Sequence, residues 1–210
     1  MMAWLLRCLL LPVLMPAATG ALSAESDCAS PLGSGRLHRC ATAPPAQRAA
    51  DLLAQLSSAE IVQQTWMPDG GSAAAILEWT HGLGVGSASL GAARSPTGNI
   101  TEEVELRNDF QRKIMEASPH KIPAAFFAEA LHSATAGGTV FPELVTQGST
   151  WDPALIEEIG AAIATEASAC GINIAFSPVL NMWVDSRFGR LQEGYSENPT
   201  LTTACKPTAC

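Results

Sequence analysis

Short apolar segments alternate with amphipathic helices along this chain, and that alternation limits the possible folds more than any other feature. Residues 122–127 and 172–176 are apolar runs without clean polar alternation, which is typical of strands buried on both faces of a parallel sheet. A third run, residues 82–90, opens in a cluster of glycines. The order strand, helix, strand, helix, strand predicts a parallel α/β protein. From this pattern alone, a doubly wound sheet and a (β/α) barrel are equally compatible.

The helices between these runs have recognisable start signals. Ser57 and Glu60 have the spacing of a capping box, in which each side chain binds the other residue's backbone N–H. They begin a helix that we expect to end near Trp66. Asp152 followed by Pro153 is a favourable pair for the N-cap and first position of another helix. Apolar residues at helical spacing predict helices over residues 46–56, 101–117 and 153–169.

The glycines at positions 82, 84 and 86 superficially resemble a dinucleotide-binding loop. That loop requires a preceding strand and a following helix, whereas these glycines follow a helix-like stretch and open a strand. We therefore interpret them as positions of close packing, and we predict no cofactor.

Residues 1–20 have the pattern of a secretory signal peptide. Arg7 precedes a short apolar segment, and small residues suited to cleavage follow. An uncleaved membrane anchor is the alternative, but the segment is shorter than the roughly 20 apolar residues that span a bilayer. We therefore expect a secreted protein or one in the secretory lumen, without membrane association after cleavage. Residues 21–44 are then an N-terminal extension.

Export to an oxidising compartment favours disulfide formation. Cys28 and Cys40 are close in sequence and are the expected bridge. Signal cleavage removes Cys8 from the six cysteines, so an odd number remains and at least one thiol stays unpaired. The cysteine spacing matches no common zinc pattern, so we predict no metal site. Asn99 begins an Asn-Ile-Thr sequon and is a predicted glycosylation site.

The charge balance excludes one large class of partner. The chain has 12 Lys and Arg against 20 Asp and Glu, a formal net charge of −8. No dense basic stretch is present, so binding to the phosphates of nucleic acids is not expected.

Charged residues follow the ends of two predicted strands. Glu129 and His132 come just after residues 122–127, and the segment 185–198 follows residues 172–176. In parallel α/β folds, ligands bind at the carboxyl ends of the strands. Carboxylate and guanidinium groups are planar hydrogen-bonding groups well suited to sugar hydroxyls.

These segments resemble the N-terminal barrel domain of glycoside hydrolase family 3, the β-glucosidase and β-xylosidase family. The resemblance is sharpest at residues 185–190, DSRFGR, close to the family's D-P-R-W-G-R. In total, about 150 residues match in one consistent order, including residues 51–57, 122–123, 129–132, 139–142 and 193–199. The resemblance implies that residues 45–200 are part of a (β/α)8 TIM-type barrel, comprising its first three or so βα units.

The resemblance also implies roles for individual residues. Glu129 and Arg190 match positions that bind the hydroxyls of the terminal sugar. For Glu129 the alternative is a loop or capping carboxylate, and for Arg190 it is a structural salt bridge to Glu193 or Glu197. We expect a supporting ionic network of Asp185, Arg187, Glu193 and Glu197. His132 is interpreted as loop scaffolding. Trp151 and Trp183 are candidates for stacking on sugar faces, although we expect Trp151 to be a core residue.

The family's catalytic residues are not matched in this chain. A retaining glycosidase needs a nucleophile and an acid/base about 5–5.5 Å apart, and in the family both follow the arginine motif. Residues 201–210 are interpreted as a tail that departs from the pattern, and a full barrel takes about 250 residues. We therefore expect a β-glucosidase-type enzyme, acting on β-linked glucosides or oligosaccharides, whose activity is lost in this shortened chain. The alternatives are a β-xylosidase and a non-catalytic carbohydrate-binding fragment.

Overall fold

The structure is a computed structural model that describes residues 28–68, 72–89, 99–134 and 138–205. The predicted signal peptide, residues 1–20, lies outside the described residues, as do residues 21–27 of the extension and 206–210 of the tail. The chain divides into two compact units. We call them the N-terminal unit, described within residues 28–87 and 108–124, and the sheet unit, described within residues 88–107 and 125–205.

The N-terminal unit contains three short helices, α1 (Pro45–Leu53), α2 (Ser58–Gln64) and α3 (Ala73–Trp79). The predicted capping box is confirmed. The Ser57 backbone N–H donates to Glu60 Oε2 at 2.8 Å, and the Glu60 N–H donates to Ser57 Oγ at 3.3 Å. Helix α2 therefore begins where the sequence predicted, although it ends at Gln64 rather than near Trp66.

The predicted close packing at the glycine cluster is confirmed at Gly86. A Cβ atom at this position would lie 1.9 Å from the backbone oxygen of Gln64, far inside van der Waals contact. Residue 86 must therefore be glycine for the strand to begin against the end of α2.

Asp51 organises the segment that precedes α1. Its side chain is fully buried and accepts hydrogen bonds from the backbone N–H groups of Gly33, Gly35 and His38, at 2.8, 3.2 and 2.9 Å. His38 Nδ1 lies 3.1 Å from the same carboxylate. The disulfide between Cys28 and Cys40 closes this segment on itself. The carboxylate thus satisfies three backbone donors of a segment with little regular structure of its own.

The sheet unit contains the order of elements expected of an α/β protein. Its strands form a three-stranded parallel sheet in the order β1-β2-β3, so the predicted class is confirmed. No described helix has both the length and the apolar composition that a membrane crossing requires. The elements are β1 (Ser87–Ser89), α4 (Ile100–Ala117), β2 (Ala125–Ala128), α5 (Leu144–Gly148), α6 (Pro153–Ala169), β3 (Ile174–Ala175) and α7 (Pro199–Ala204). Of these, Ser87 and the second half of α4, residues 108–117, belong to the N-terminal unit.

Strand β3 differs from its prediction. It pairs with β2 in the register Phe127 with Ile174 and Ala128 with Ala175, but it is not buried on both faces. Ile174 and Phe176 are 36% and 37% exposed, because β3 lies at the edge of the sheet and no described strand pairs with its outer side.

The one polar residue in the apolar run 172–176 takes part in this pairing. The Asn173 side-chain oxygen accepts from the Phe126 N–H at 2.9 Å, while the Asn173 N–H donates to the Phe126 oxygen at 2.9 Å. The side chain therefore supplies an acceptor that extends the two-residue ladder.

Helix α6 joins two apolar clusters. Its N-cap is the predicted Asp152, whose side chain accepts from the Leu155 N–H at 3.1 Å. Ile163 and Ala167 pack with Ala130 and Ile172. About two turns earlier in the helix, Ile156 packs with a second cluster, which consists of Leu144, Tyr195, Leu201 and Cys205. Both clusters lie directly beneath the segments that carry the predicted site residues.

A buried arginine of α4, which is paired with a glutamate of the same helix, binds the end of α6. Arg107 Nη2 lies 2.7 Å from Glu103 Oε2, with both side chains almost fully buried. Arg107 Nη1 also donates to the Cys170 carbonyl oxygen at 2.6 Å. Because Cys170 is the C-cap of α6, the guanidinium binds a carbonyl that the helix end leaves without a helical partner.

We expect Asp51→Asn to destabilise the protein at neutral pH. Burial alone would raise the pKa of Asp51, but hydrogen bonds from His38, Gly35 and Gly33 outweigh it and lower the pKa from its ordinary 3.8. The carboxylate therefore contributes stability above pH 3.8, and this contribution is lost as the pH falls through the lowered pKa. Thermal unfolding at pH 7 and at pH 3 measures the effect.

Asp109→Asn is the matched control, since Asp109 is an exposed carboxylate paired with Lys113 on a helix surface. We expect it to change the unfolding midpoint much less. An Asp51→Asn midpoint equal to that of the native chain at pH 7 would contradict the role given to Asp51.

Candidate functional site

The pairing of β2 with β3 brings the two predicted site segments to the same edge of the sheet. Glu129 is exposed and follows directly after β2. The Phe176 N–H donates to the Ala128 oxygen at 2.9 Å, so the chain leaves β3 beside Glu129. The loop that leaves there carries Asp185, Arg187 and Arg190.

Asp185 and Arg187 form a compact ion pair in this loop. Arg187 Nε lies 2.9 Å from each Asp185 carboxylate oxygen, Nη2 also contacts Oδ2, and the Arg187 backbone N–H donates to Oδ1 at 2.9 Å. These bonds, the side-chain bonds first, lower the pKa of Asp185, and the Asp185 carboxylate raises the pKa of Arg187. The pair caps the 3-10 helix Ser186–Phe188 and fixes the direction of the loop.

Arg190 is paired with Glu193. Arg190 Nε donates to Glu193 Oε1 at 2.8 Å, and Nη2 lies 2.5 Å from Oε2. Within the described chain these are the guanidinium's hydrogen-bonding contacts, and the Arg190 side chain remains 63% exposed. The guanidinium is therefore held in place with donors left over for a ligand.

Glu129 and Arg190 act on each other electrostatically. The pKa of Arg190 is raised, first by the hydrogen bond and charge of Glu193 and, more weakly, by the charge of Glu129. The two groups that the sequence singled out therefore lie close enough for the charge of Glu129 to act on Arg190. The expected network of Asp185, Arg187, Glu193 and Glu197 does not form as one unit. Instead, Asp185 pairs with Arg187, and Glu193 pairs with Arg190. Glu197 is exposed and joins neither pair.

Trp183 and Gly194 support the loop, and neither was assigned this role from the sequence. A Cβ atom at position 194 would lie 2.4 Å from Trp183 Nε1 and 3.1 Å from the Asn181 oxygen. The Nε1 edge of the indole therefore packs closely against the backbone just after Glu193. A glycine that follows an acidic residue in a charged loop is too common a pattern to have predicted this contact.

A cavity of about 520 Å³ lies beside the ion pair of Asp185 and Arg187. Neither Glu129 nor Arg190 lines it. Its other lining residues are Asn181, Met182, Val184, Phe188 and Leu191, so its wall is apolar apart from the ion pair and one amide.

Two interpretations of nearby residues have different outcomes. His132 lies with Nε2 3.5 Å from Glu143 Oε1, a contact within its own loop region that agrees with scaffolding. Trp151, expected in the core, is 71% exposed, and that expectation was wrong. Trp151 lies in the turn between α5 and α6 with a positive φ of 55°, and connecting segments of this kind run over the protein surface.

The remaining predicted positions are at the surface or in the interior. Asn99 is exposed, and its side-chain oxygen accepts from the Thr101 N–H at 3.0 Å at the start of α4; its glycosylation stays a prediction. Cys170 and Cys205 are buried and form no disulfide within the described chain. Asn198 caps α7, accepting from the Thr200 N–H at 2.8 Å.

Comparison with known proteins agrees with this arrangement. Residues 53–208 match the family described as glycosyl hydrolase family 3 N terminal domain. A β-xylosidase of Formosa agariphila is 37% identical over 89 residues, which is 39% of this chain and 12% of the relative. A β-glucosidase of Rhizobium radiobacter is 42% identical over 65 residues, which is 31% of this chain and 8% of the relative.

Solved structures give the same result. A β-glucosidase from Erythrobacter marinus superposes with a TM-score of 0.68 at 25% identity, covering 80% of this chain and 23% of that one. An exo-1,3/1,4-β-glucanase from a Pseudoalteromonas species superposes with a TM-score of 0.63 at 29% identity, covering 73% and 20%. The fold is an α/β fold with a parallel sheet, and the chain belongs to glycosyl hydrolase family 3. It spans less than a quarter of the length of each of these relatives.

We expect Gly194→Ala to displace the indole of Trp183 and to destabilise the loop. Overpacking of this kind costs about 1–3 kcal/mol, and the contact at 2.4 Å involves a ring that is packed in place. A shift of the Trp183 indole N–H resonance, together with a lower unfolding midpoint, measures the effect.

Gly189→Ala is the matched control in the same loop. Gly189 has a positive φ of 81° with nothing within 4 Å of a Cβ, so the change costs about 1–2 kcal/mol through the backbone alone. It should leave the Trp183 resonance in place, and an equal shift in both variants would contradict the packing argument.

Proposed function

We propose that this protein is a β-glucosidase-type glycosidase that releases terminal β-linked glucose, and that Glu129 and Arg190 hold the terminal sugar. The observation that carries the proposal is the electrostatic action of Glu129 on Arg190 at the edge where β2 and β3 end. A carboxylate accepts from sugar hydroxyls and a guanidinium donates to them. The two groups thus provide both halves of a hydrogen-bonding grip on one ring.

The pairing of Arg190 with Glu193 favours sugar binding rather than opposing it. A long side chain loses rotamer freedom when a ligand immobilises it, at a cost of about 0.5–1.5 kcal/mol. Glu193 already restrains the Arg190 guanidinium through Nε and Nη2. The structural salt bridge and the sugar-binding role are therefore compatible in one residue.

We further propose that residues 45–200 form the first part of a (β/α)8 barrel and that catalysis follows a retaining mechanism. Support for the barrel comes from the parallel sheet and from the similarity to solved β-glucosidases. We assign neither the nucleophile nor the acid/base to a residue of this chain, since no described pair of carboxyl groups matches the family's catalytic positions. This chain by itself is expected to bind sugar without hydrolysing it.

The same observations leave two other functions open to test. A β-xylosidase is favoured by the Formosa agariphila relative of that name and by the Glu-Ala-Leu-His segment at residues 129–132. A non-catalytic carbohydrate-binding role is favoured by a sugar grip without catalytic carboxylates. Hydrolysis of p-nitrophenyl β-glucoside and β-xyloside by the whole protein, encoded by a transcript sequenced across its 3′ end, distinguishes all three.

We also propose that the protein is exported and glycosylated at Asn99. The disulfide between Cys28 and Cys40 supports an oxidising compartment, and Asn99 is exposed. Mass spectrometry of the secreted protein before and after glycosidase treatment tests both points.

We expect Glu129→Ala and Arg190→Ala each to weaken glucose binding by at least about tenfold. Hydrogen bonds to charged groups contribute about 1.5–3 kcal/mol, and 1.4 kcal/mol corresponds to a factor of about ten. Titration of the 210-residue chain with glucose and with xylose, at millimolar concentrations and followed by NMR, measures the affinities.

Glu158→Ala is the control for a change of charge, because Glu158 is exposed on α6 and has no part in the grip. It should leave the affinity unchanged. Undiminished glucose binding in both Glu129→Ala and Arg190→Ala would remove the basis of the proposal, and tighter binding of xylose than of glucose would favour the xylosidase.

A further inference from the structure

Two exposed tryptophans lie against each other in the N-terminal unit. The ring centroids of Trp66 and Trp79 are 6.3 Å apart with an angle of 54° between the ring planes. Trp66 is 39% exposed and Trp79 is 51% exposed. We call them the tryptophan pair. They belong to a different unit of the chain from Glu129 and Arg190, so the candidate site does not account for them.

The backbone beneath the tryptophan pair is already hydrogen-bonded. Trp66 follows α2, and its N–H donates to the Gln63 oxygen at 3.2 Å. Trp79 is the last residue of α3. The surface therefore offers ring faces rather than the unpaired N–H and C=O groups of a sheet edge. Such a surface favours a ligand that stacks over one that adds a strand.

The charges around the pair disfavour an anionic ligand. Within residues 57–67 the only charged residue is Glu60, which is buried and paired with His120. Beside Trp79, the carboxylate of Glu78 is exposed and would repel an anion. The chain as a whole carries a net charge of −8, which acts in the same direction. A neutral ligand is repelled neither by the Glu78 carboxylate nor by the net charge of the chain.

The size of the surface argues against a stable protein partner. At these exposures the two indoles together present on the order of 200 Å², whereas each partner in a stable complex buries about 800 Å². Val62 and Met67 are also exposed nearby, but these smaller side chains do not close that gap. Each of these two tilted rings is large enough to contact the apolar C–H face of a sugar ring.

We propose that the tryptophan pair is a surface that binds a neutral β-linked glucan chain. The choice of glucan rests on the proposed function, because a glycosidase acting at chain ends benefits from holding the polymer at a second place. In this proposal the two indoles stack on sugar rings, and neutral side chains nearby, such as Gln64, form hydrogen bonds with the sugar hydroxyls. Because the bound segment and the chain end belong to one polymer, binding at the tryptophan pair raises the local concentration of chain ends at the enzyme.

The test measures binding of the 210-residue chain to insoluble β-1,4-glucan and β-1,3-glucan by depletion from solution. We expect Trp66→Ala and Trp79→Ala each to weaken binding to at least one of these glucans by about tenfold. Trp66→Phe, which keeps an aromatic ring, should retain most of the binding, whereas Trp66→Leu, which is apolar without a ring, should not. Circular dichroism establishes that each variant is folded.

Trp151→Ala is the matched control, because Trp151 is a more exposed tryptophan, at 71%, that is not part of the pair. It should bind glucan like the native chain. Glucan binding that survives the double change Trp66→Ala and Trp79→Ala would overturn the proposal. So would a concentration-dependent dimer that the same change abolishes, since the surface would then serve a second copy.

The result can be separated from that of the proposed function. Titration with free glucose reports on Glu129 and Arg190, and the tryptophan changes should leave it unaltered. Loss of glucose binding in Glu129→Ala with glucan binding intact would support two independent sites. Glucose binding with no glucan binding in the native chain would refute the tryptophan proposal alone.

Discussion

The parallel pairing of β2 with β3 is the constraint on which the rest of the candidate site depends. With Ala128 opposite Ala175, the chain leaves both strands at the same edge, and side chains distant in sequence come within electrostatic reach. A shift of one residue in this register would move alternate side chains to the other face. The Asn173 side chain, bound to the Phe126 N–H, adds a specific contact to a ladder that is otherwise only two residues long.

Beyond the strands, short-range ion pairs give the loop its shape. Asp185 with Arg187 and Arg190 with Glu193 each close over two or three residues, so their formation requires little loop-closure entropy. Their exposure limits what each contributes to global stability. Their effect is local, since they restrict the guanidinium of Arg190 to one region before any ligand arrives. Trp183, packed on Gly194, anchors the same loop from beneath.

Local signals predicted the helices and the family motif well, whereas features that depend on tertiary neighbours were missed. The capping box of Ser57 and the N-cap Asp152 depend on residues three apart and appear where expected. The exposure of β3 depends on which strand lies beside it, and the exposure of Trp151 depends on the path of a turn. Neither quantity is encoded in a local pattern. The family resemblance identified Glu129 and Arg190. Only the three-dimensional structure shows that Glu193, and not Glu197, is the partner of Arg190.

Two of the places where the structure exposes apolar residues differ in the hydrogen bonding of their backbones, and this difference distinguishes what each can bind. At β3, Ile174 and Phe176 lie on an edge strand, where unpaired backbone groups accompany the side chains and favour pairing with another strand. At the tryptophan pair, α2 and α3 satisfy most of their own backbone groups, and only ring faces are offered. An edge strand therefore favours pairing with another polypeptide, while the paired indoles suit the apolar faces of sugar rings. Similar degrees of exposure thus lead to different partners because the hydrogen-bonding state of the backbone differs.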